Sequence, residues 1–433
     1  MITSSGSRTP APTAGLEVRP FRALTYRRRD PEHLARVSSP AYDLVTPAGR
    51  ARLADADPYN IVRLILPLVD RSALSEDPAE QAADTLHRWI SEGVLELDDS
   101  RALWVYELRP PEGAPATVGW LGAVALPAPG STAVLPHEDT YAVAVEGRRA
   151  LLAATRTDLE PIVLAHDLEP AVTEVTDLAR SGVPTLVLHD GDGVDHRLWR
   201  VTDPALLGRV EGALRRTAAV IADGHHRFAA ARAHALTRTG VAGSDAVLAL
   251  VTPMGPGGLR VDPIHRVVPE LSLDAAINGA GAHFRVTELP PPARADGVRD
   301  AADRWLADAH TTGFLVTDGR RVVQLDQPSE VVRSAVPPEA PDAWRRLDVV
   351  LAHHGLLAAC WGRRDDPESV LIAHSVGEAL ETAVERNGVA LLLRAPSPAD
   401  VAAVARAGAR MPRKSTLFLP KPRTGLVLRP LDG

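Results

Sequence analysis

The feature that most constrains the fold of this chain is a short segment in which the spacing of apolar residues changes from a strand pattern to a helix pattern. The segment TAAVIADGHHRFAAARAHALTR, residues 217–238, begins as an apolar, β-rich run that ends at Ala222. Gly224 then permits a tight turn, and an alanine-rich helical pattern begins near His225. A strand that leads through a glycine turn into a helix is typical of a layered protein in which helices pack on a sheet.

The same turn has the chemistry of an anion site. Unpaired N–H groups at the start of a helix bind anions, and the helix dipole favours negative charge there. His225 and His226 would add side-chain donors, and the planar fork of Arg227 suits a phosphate. We therefore predict that a phosphate group binds at Asp223, Gly224 and these three residues. In the alternative interpretation Asp223 only caps the helix. A zinc site is disfavoured, because adjacent helical residues face different ways and no HExxH or CxxC motif completes a ligand set.

Strand and helix patterns alternate along the rest of the chain. The segment PAEQAADTLHRWISEGVL has a helical apolar face of Ala83, Leu86, Trp89 and Ile90. ALWVYELRP and VGWLGAVAL have strand patterns, and the DGDG and Asp318-Gly319 turns indicate hairpins. We predict a mixed α/β fold with a disordered tail over 1–16, a mixed-sheet domain over 17–270, a connecting segment with a β-hairpin over 271–340 and a smaller C-terminal α/β unit over 341–433.

Composition excludes several classes of protein. A net charge of −7 argues against a broad nucleic-acid-binding face, since phosphates attract positive charge. No stretch approaches the roughly 18 apolar residues of a membrane span, and the N-terminus lacks the apolar core of a signal peptide. The single cysteine, Cys360, has no partner for an internal disulfide. We expect a cytoplasmic protein without a nucleic-acid or membrane partner, and the sequence leaves its oligomeric state open.

Lysine is confined to one short stretch. MPRKSTLFLPKPRTG, residues 411–425, contains both lysines of a chain whose other cationic side chains are arginines. A lysine is a compact point charge that can neutralise a phosphate without a planar partner. We predict that Lys414 and Lys421 contact phosphate, with hydroxyl donors from Ser415 and Thr416, although the spacing is not that of a Walker loop. Two accidental surface lysines are the alternative.

A second polar segment, VLPHEDTYAVAVEGRRALLAATRTDLEP, combines His137, Glu138, Asp139, Arg148 and Arg156. A carboxylate beside a basic cluster can abstract a hydroxyl proton or hold a magnesium ion. A solvated ion pair of little energetic value is the alternative interpretation.

Other polar residues are less informative by themselves. The SSPAYD loop offers Ser38, Ser39, Tyr42 and Asp43, which alone are typical of a turn. For the pairs His265-Arg266 and His353-His354 we predict a structural role and no part in the site.

Motifs in a consistent order between Val18 and Leu428 resemble the bacterial and archaeal family called domain of unknown function 1015. They are RPFRAL, VSSPAYDLV, LPHEDT, ATRTDLEPI, DHRLWRVTDP, IADGHHRFAAA, LDVVLAH and RMPRKSTLFLPKPRTGLV. ADGHHR in turn resembles the phosphate-binding turn of the ParB and sulfiredoxin-like fold, which includes archaeal free-serine kinases. His225 stands where sulfiredoxins have their cysteine, so the resemblance excludes sulfinic-acid reduction.

The chain departs from the family pattern at two places. Ala41 replaces a second proline of the SPPYD loop, which we expect to be harmless. YAVAVEGR replaces a lysine-containing stretch, which removes a cation near Glu138. Either Arg148 or Arg149 substitutes for that cation, or the substrate site of this member has drifted.

The resemblance implies that residues 17–270 form a ParB/sulfiredoxin-like nucleotide-binding domain. It favours a phosphotransferase that uses ATP or ADP with magnesium and acts on a small hydroxyl compound, with free L-serine as the best candidate. Glu138 would be the base, Asp43 a metal ligand or substrate contact, and His225 a phosphate contact in the catalytic centre. Substrate contacts are then expected at Ser39, Tyr42, His137, Arg148 and Arg156, with no metal site built from protein ligands alone. A ParB-like nucleotide-binding regulator without turnover and a metal-dependent hydrolase that uses the histidine pairs are the alternatives.

Overall fold

The computed structural model describes residues 15–69, 75–111, 115–237, 241–255, 257–290, 297–308 and 313–433. The strands are β1 (Val18–Arg19), β2 (Leu24–Tyr26), β3 (Leu95–Leu97), β4 (Leu103–Arg109), β5 (Thr117–Ala125), β6 (Val134–Leu135), β7 (Thr157–Asp158), β8 (Ile162–His166), β9 (Leu186–His189), β10 (Asp195–Val201), β11 (Ala219–Asp223), β12 (Ala246–Pro253), β13 (Arg260–Asp262), β14 (His265–Val268), β15 (Arg285–Glu288), β16 (Phe314–Thr317), β17 (Val322–Asp326), β18 (Leu371–Ala373), β19 (Val389–Leu392), β20 (Leu417–Leu419) and β21 (Arg429–Pro430).

The α-helices are α1 (Pro31–Val37), α2 (Pro47–Ala56), α3 (Val62–Ile65), α4 (Pro78–Ser91), α5 (Ala142–Thr155), α6 (Pro170–Ala179), α7 (Pro204–Leu214), α8 (His225–Thr237), α9 (Leu273–Gly281), α10 (Gly297–Ala307), α11 (Glu330–Ser334), α12 (Asp342–Arg345), α13 (Asp348–Leu351), α14 (Val376–Glu385) and α15 (Pro398–Arg406). A 3₁₀ turn spans Tyr42–Leu44, and a π-helix spans Ala352–Cys360.

The chain divides into two compact units. The first comprises Met1–Pro136, Thr140–Leu259 and Pro420–Gly433, and the second comprises His137–Asp139 and Arg260–Leu419. This division differs from the predicted boundaries at 270 and 340. The segment expected to connect the domains contributes β15, β16 and β17 to the sheet of the second unit. The last residues belong to the first unit, since β21 pairs with β7.

The predicted tail is only partly described. Residues 1–14 lie outside the described residues, whereas Gly15 and Leu16 lie within them. Leu16 is buried, and its N–H donates to the carbonyl of Thr217 at 3.0 Å. Leu16, the last residue of the predicted tail, is therefore part of the packed first unit.

A mixed sheet forms the core of the first unit, in the strand order β6-β11-β8-β12-β5-β4-β10-β9, with β1 paired to β5. β6 with β11 and β8 with β12 are parallel, and the other pairs are antiparallel. Alternate residues of β4 join two different apolar clusters, Trp104 and Tyr106 on one face and Leu103 and Val105 on the other. Both faces of the sheet are therefore covered, which confirms the mixed α/β class.

An antiparallel sheet forms the core of the second unit, in the order β15-β17-β16-β19-β14-β18. β16 and β17 form the hairpin that Asp318-Gly319 predicts, with Gly319 at φ +87°. The apolar segment AWRRLDVVLAHHGLLAACWG forms α12, α13 and the π-helix, and the extended conformation of Leu347 separates α12 from α13.

Helix α4 shows how far the apolar pattern predicts burial. Ala83, Leu86 and Trp89 are buried as expected, but Ile90 is 42% exposed and Ala82 is buried in the core. The buried stripe is therefore centred nearer Ala82 than the apolar pattern suggests. In the described part of the chain, no helix is both long enough and apolar enough to cross a membrane.

Candidate functional site

The turn between β11 and α8 has the predicted form. β11 ends at Asp223, α8 begins at His225, and Gly224 lies between them at φ +91°. A Cβ atom at Gly224 would lie 2.8 Å from Cγ2 of Ile162 and 3.1 Å from Nε of Arg227. Both the backbone conformation and the lack of space therefore require glycine at this position.

One lysine of the C-terminal stretch reaches this turn. The Nζ of Lys421 lies 2.5 Å from Oδ2 of Asp43 and 2.7 Å from Oδ1 of Asp223. The Lys421 side chain is only 8% exposed. Burial alone would lower the pKa of Lys421, but the two carboxylates outweigh it and raise that pKa. Three distant segments of the first unit thus meet around a charged ammonium, and we call these three residues the Lys421 cluster.

Arg227 holds the turn from the helix side. Its Nη1 donates to the carbonyl of Pro161 at 2.6 Å, and its Nη2 makes a short contact with Oδ2 of Asp223. Burial would raise the pKa of Asp223, but the Arg227 and Lys421 charges outweigh burial and lower it. Asp223 is therefore ionised, and the Arg227 guanidinium is committed to ordering the turn.

Tyr42 and Arg148, two of the expected substrate contacts, lie beside Arg227. The Arg148 guanidinium covers the Tyr42 ring at 4.1 Å, and that of Arg227 lies 5.6 Å from the same ring. Glu160 accepts from the Tyr42 N–H at 3.0 Å and from the Thr424 hydroxyl at 3.1 Å. Burial raises the pKa of Glu160. A cavity of about 50 Å³ is lined by Arg148, Glu160 and Arg227 among others.

Glu160 was not among the predicted site residues. The sequence placed it in the segment that also holds Arg156, and nothing local distinguishes its carboxylate from a surface one. Its burial follows from its position before β8, where Tyr42 and Thr424 converge on it.

The SSPAYD loop and the C-terminal segment are joined directly. The backbone N–H of Ser39 donates to the Thr424 carbonyl at 3.1 Å, and the backbone N–H of Thr424 donates to the Ser39 carbonyl at 2.8 Å. The Nε of Arg423 donates to the Ser38 hydroxyl at 2.7 Å. The Ser39 hydroxyl itself donates to the Pro40 carbonyl. This pairing brings the loop that carries Asp43 beside the segment that carries Lys421.

A buried chain of hydrogen bonds anchors the same segment to the sheet. The backbone N–H of Arg423 donates to the Tyr106 hydroxyl at 3.0 Å. That hydroxyl lies 2.8 Å from Nδ1 of His196, whose Nε2 lies 3.0 Å from Oδ2 of Asp190. Burial would raise the pKa of Asp190, but the hydrogen bonds of this carboxylate with His196 and with the Val194 N–H lower that pKa to about 2. None of these residues was predicted, because Tyr106 and His196 look like ordinary members of strands β4 and β10.

The two histidines of the turn differ in their surroundings. His225 is buried, whereas Nε2 of His226 accepts from the backbone N–H of Tyr141 at 3.2 Å. The rings of Tyr141 and His226 are stacked, with centroids 5.8 Å apart and an interplanar angle of 15°.

The remaining predicted cations of this region have other partners. Arg156 ends α5 at φ +49° and pairs with Asp432 at 2.8 Å. Arg149 pairs with Glu146 at 2.5 Å on the surface of α5. Of the arginines proposed to replace the missing cation, only Arg148 approaches Tyr42 and Glu160.

Another group of predicted residues belongs to the second unit. The Nε2 of His137 lies 2.9 Å from the Thr416 hydroxyl, and the Ser415 hydroxyl donates to the Pro412 carbonyl at 2.6 Å. Lys414 is exposed at φ +50°, and Glu138 is half-buried. These residues belong to a loop region of the second unit.

A buried arginine supports this loop. Arg266 is fully buried, and its Nη2 donates to the Arg413 carbonyl at 3.0 Å. Its Nε donates to Nε2 of His353 at 3.0 Å, and Nδ1 of His353 lies 2.9 Å from Oδ2 of Asp365. Burial lowers the pKa of Arg266 to about 10. The structural interpretation of His265-Arg266 and His353-His354 is consistent with these contacts.

Across residues 15–433, apart from the segments that are not described, no group of three or more His, Cys, Asp and Glu side chains could hold a metal ion. The position between Asp43 and Asp223 is taken by the Lys421 ammonium.

Comparison with known proteins places the chain near one family. The sequence profile of the family described as Protein of unknown function (DUF1015) matches residues 18–350. No curated protein matches.

Solved structures that match this chain share little sequence with it. A free serine kinase in complex with AMP is 12% identical, with 73% of this chain and 96% of that chain covered and a TM-score of 0.34. A conserved hypothetical protein from Pyrococcus furiosus is 12% identical, with 72% and 93% covered and a TM-score of 0.32. A C-terminally truncated SbnI from Staphylococcus aureus is 13% identical, with 72% and 87% covered and a TM-score of 0.35. Similarity at this level does not identify an activity for this chain.

Proposed function

Because this chain belongs to the DUF1015 family, whose description assigns no activity, we propose a function from the site itself. We propose that the protein is a nucleotide-dependent phosphotransferase that acts on a small hydroxyl compound. The observation that carries the proposal is the Lys421 ammonium, held at 2.5 Å from Asp43 and 2.7 Å from Asp223 at the start of α8.

Helix α8 provides the phosphate site in this proposal. It is 13 residues long, so its first turn has the full N-terminal dipole. Lys421 and Arg227 balance the charges of Asp43 and Asp223, so the turn does not repel a polyanion. An ammonium has three donors, and two of them face the carboxylates. The third is the donor we assign to a nucleotide phosphate.

Asp43 is the carboxylate best placed to activate an acceptor hydroxyl. Its side chain is 28% exposed, against 14% for Asp223, so it is the more accessible of the two carboxylates to an acceptor. In the transfer step the Asp43 carboxylate takes the hydroxyl proton, and the acceptor oxygen bonds to the terminal phosphorus. The bond from that phosphorus to the bridging oxygen breaks, and the shortened nucleotide leaves with the electron pair.

Magnesium fits this arrangement as a companion of the nucleotide. Mg²⁺ keeps several waters and is usually bound through one or two carboxylates together with substrate phosphates, so a complete protein cage is not required. Bound in this way, it would neutralise phosphate charge. Asp43 and Asp223 are the carboxylates of the cluster that could face it.

Phosphoryl transfer can be followed directly by ³¹P NMR. The protein is incubated with ATP or ADP, magnesium and a panel of small hydroxyl compounds that begins with L-serine. We expect a phosphoester signal, and we expect D43N to slow its formation at least about 100-fold, the range of general base catalysis, while nucleotide binding persists. E138Q, measured in parallel, tests the base predicted from sequence.

Two results would contradict the proposal. If nucleotide binds but no acceptor is phosphorylated, the ParB-like regulator without turnover becomes the better account. If neither ATP nor ADP binds, both accounts fail.

A further inference from the structure

An exposed aromatic side chain stands beside the proposed phosphate site. Tyr141 is 64% exposed, and every other Phe, Tyr and Trp side chain in the described residues is buried or half-buried. We propose that Tyr141 is the stacking platform for the nucleobase of the bound nucleotide. This inference rests on the proposed function, because it assumes that the nucleotide phosphates lie at the start of α8.

The orientation of Tyr141 is fixed by His226. The backbone N–H of Tyr141 donates to Nε2 of His226 at 3.2 Å, so the neutral imidazole has its proton on Nδ1. The two rings are nearly parallel at 15°, with centroids 5.8 Å apart, within the range of an offset stack. The His226 ring therefore packs against one face of the Tyr141 ring, and the rest of the Tyr141 side chain is open to solvent.

That arrangement suits a nucleobase. A base stacks on an aromatic ring through its π-face, so the contact does not depend on which hydrogen-bonding groups the base carries. His226 is the second residue of α8. The platform therefore lies against the first turn of α8, next to the proposed phosphate site.

Helix capping does not account for a tyrosine at this position. Tyr141 is the N-cap residue of α5, and its side chain makes no capping hydrogen bond. Ser, Thr, Asp and Asn are the residues that stabilise such positions. A ligand contact is therefore a better account of the tyrosine than a role in α5.

The test compares a nucleotide with its phosphates alone. Calorimetric titrations with ADP and with inorganic pyrophosphate are performed on the wild type, Y141A, Y141F and Y141W. V143A serves as the matched control, since Val143 lies on the same helix and is 87% exposed. We expect Y141A to weaken ADP binding about 5- to 100-fold and to change pyrophosphate binding less than twofold. Y141F and Y141W keep an aromatic face and should stay close to the wild type, as should V143A.

The outcomes separate this inference from the proposed function. The platform is refuted if Y141A binds ADP as the wild type does, or if it loses ADP and pyrophosphate affinity equally. In both cases the wild type still binds ADP, and the phosphotransferase proposal survives. A wild type that binds neither ADP nor pyrophosphate overturns the platform and the phosphate site together.

Discussion

Lys421 donates to the Asp43 carboxylate across 378 positions of sequence, and the same ammonium lies 2.7 Å from Asp223. We expect K421M to destabilise the protein by about 3 kcal/mol, because removing one partner of a buried ion pair leaves uncompensated charge. Urea unfolding measures this. The matched control is R209M, which removes an ion pair of 2.8 Å with Glu174 that is exposed on both sides, and should cost less than about 1 kcal/mol. Equal losses in the two variants would show that Lys421 is an ordinary surface lysine.

Substitution of Gly224 tests whether the turn between β11 and α8 has room for a side chain. G224A should cost about 3 kcal/mol, because the alanine must adopt a positive φ and its Cβ meets Ile162. Gly130 has a similar φ of +83°, and a Cβ there would have no atom within 4 Å. G130A should therefore cost only about 1 kcal/mol, the backbone contribution alone. The difference in denaturation midpoints measures the lack of space at Gly224, and the account is contradicted if the midpoints coincide.

The chain of hydrogen bonds from Asp190 predicts a specific pH dependence. The pKa of Asp190 in the folded protein is about 2, below its ordinary value of 3.8. The ionised Asp190 carboxylate therefore contributes fully to the free energy of unfolding above pH 3.8, and this contribution is lost as the pH falls through about 2. D190N should be about 2 kcal/mol less stable than the wild type at pH 7. That gap should close between pH 4 and pH 2.

Asp192, which is exposed in the same turn, supplies the control for this experiment. D192N should track the wild type from pH 7 to pH 2. A gap between wild type and D190N that stays constant over the whole range would show that Asp190 does not titrate as described.

The second unit has its own buried charge. R266M should destabilise the protein by about 4 kcal/mol, because it leaves His353 and the Arg413 carbonyl without their donor. R260M, on the neighbouring strand β13, removes an exposed contact with Asp262 and should cost less than about 1 kcal/mol. Thermal unfolding compares the two variants. A stable R266M protein would mean that the loop around Lys414 does not depend on this arginine.

What the sequence could predict depends on how local each feature is. The strand, glycine turn and helix around Gly224 follow from periodicity and from one residue type, and the structure confirms them. The confinement of lysine to one stretch pointed to Lys421, but its partners could not be read from it, because Asp43 and Asp223 come from distant segments.

Other features depended on the tertiary structure. Tyr106 and His196 meet because β4 and β10 pair in a particular register, and no local pattern sets that register. Ile90 followed the helical spacing of α4 yet faces outward, because the neighbours of the helix, and not its own period, decide where burial ends.

The central claim is that the start of α8 and the Lys421 cluster bind the phosphates of one nucleotide. Calorimetric titration of ADP and ATP, with magnesium, into the wild type, R209M and K421M tests it most directly, at a temperature where circular dichroism shows all three proteins folded. The account predicts one nucleotide per chain for the wild type and R209M, and an affinity at least about tenfold lower for K421M, the loss of one charge-assisted hydrogen bond. Equal affinities in K421M and the wild type, or no binding by the wild type, would contradict it.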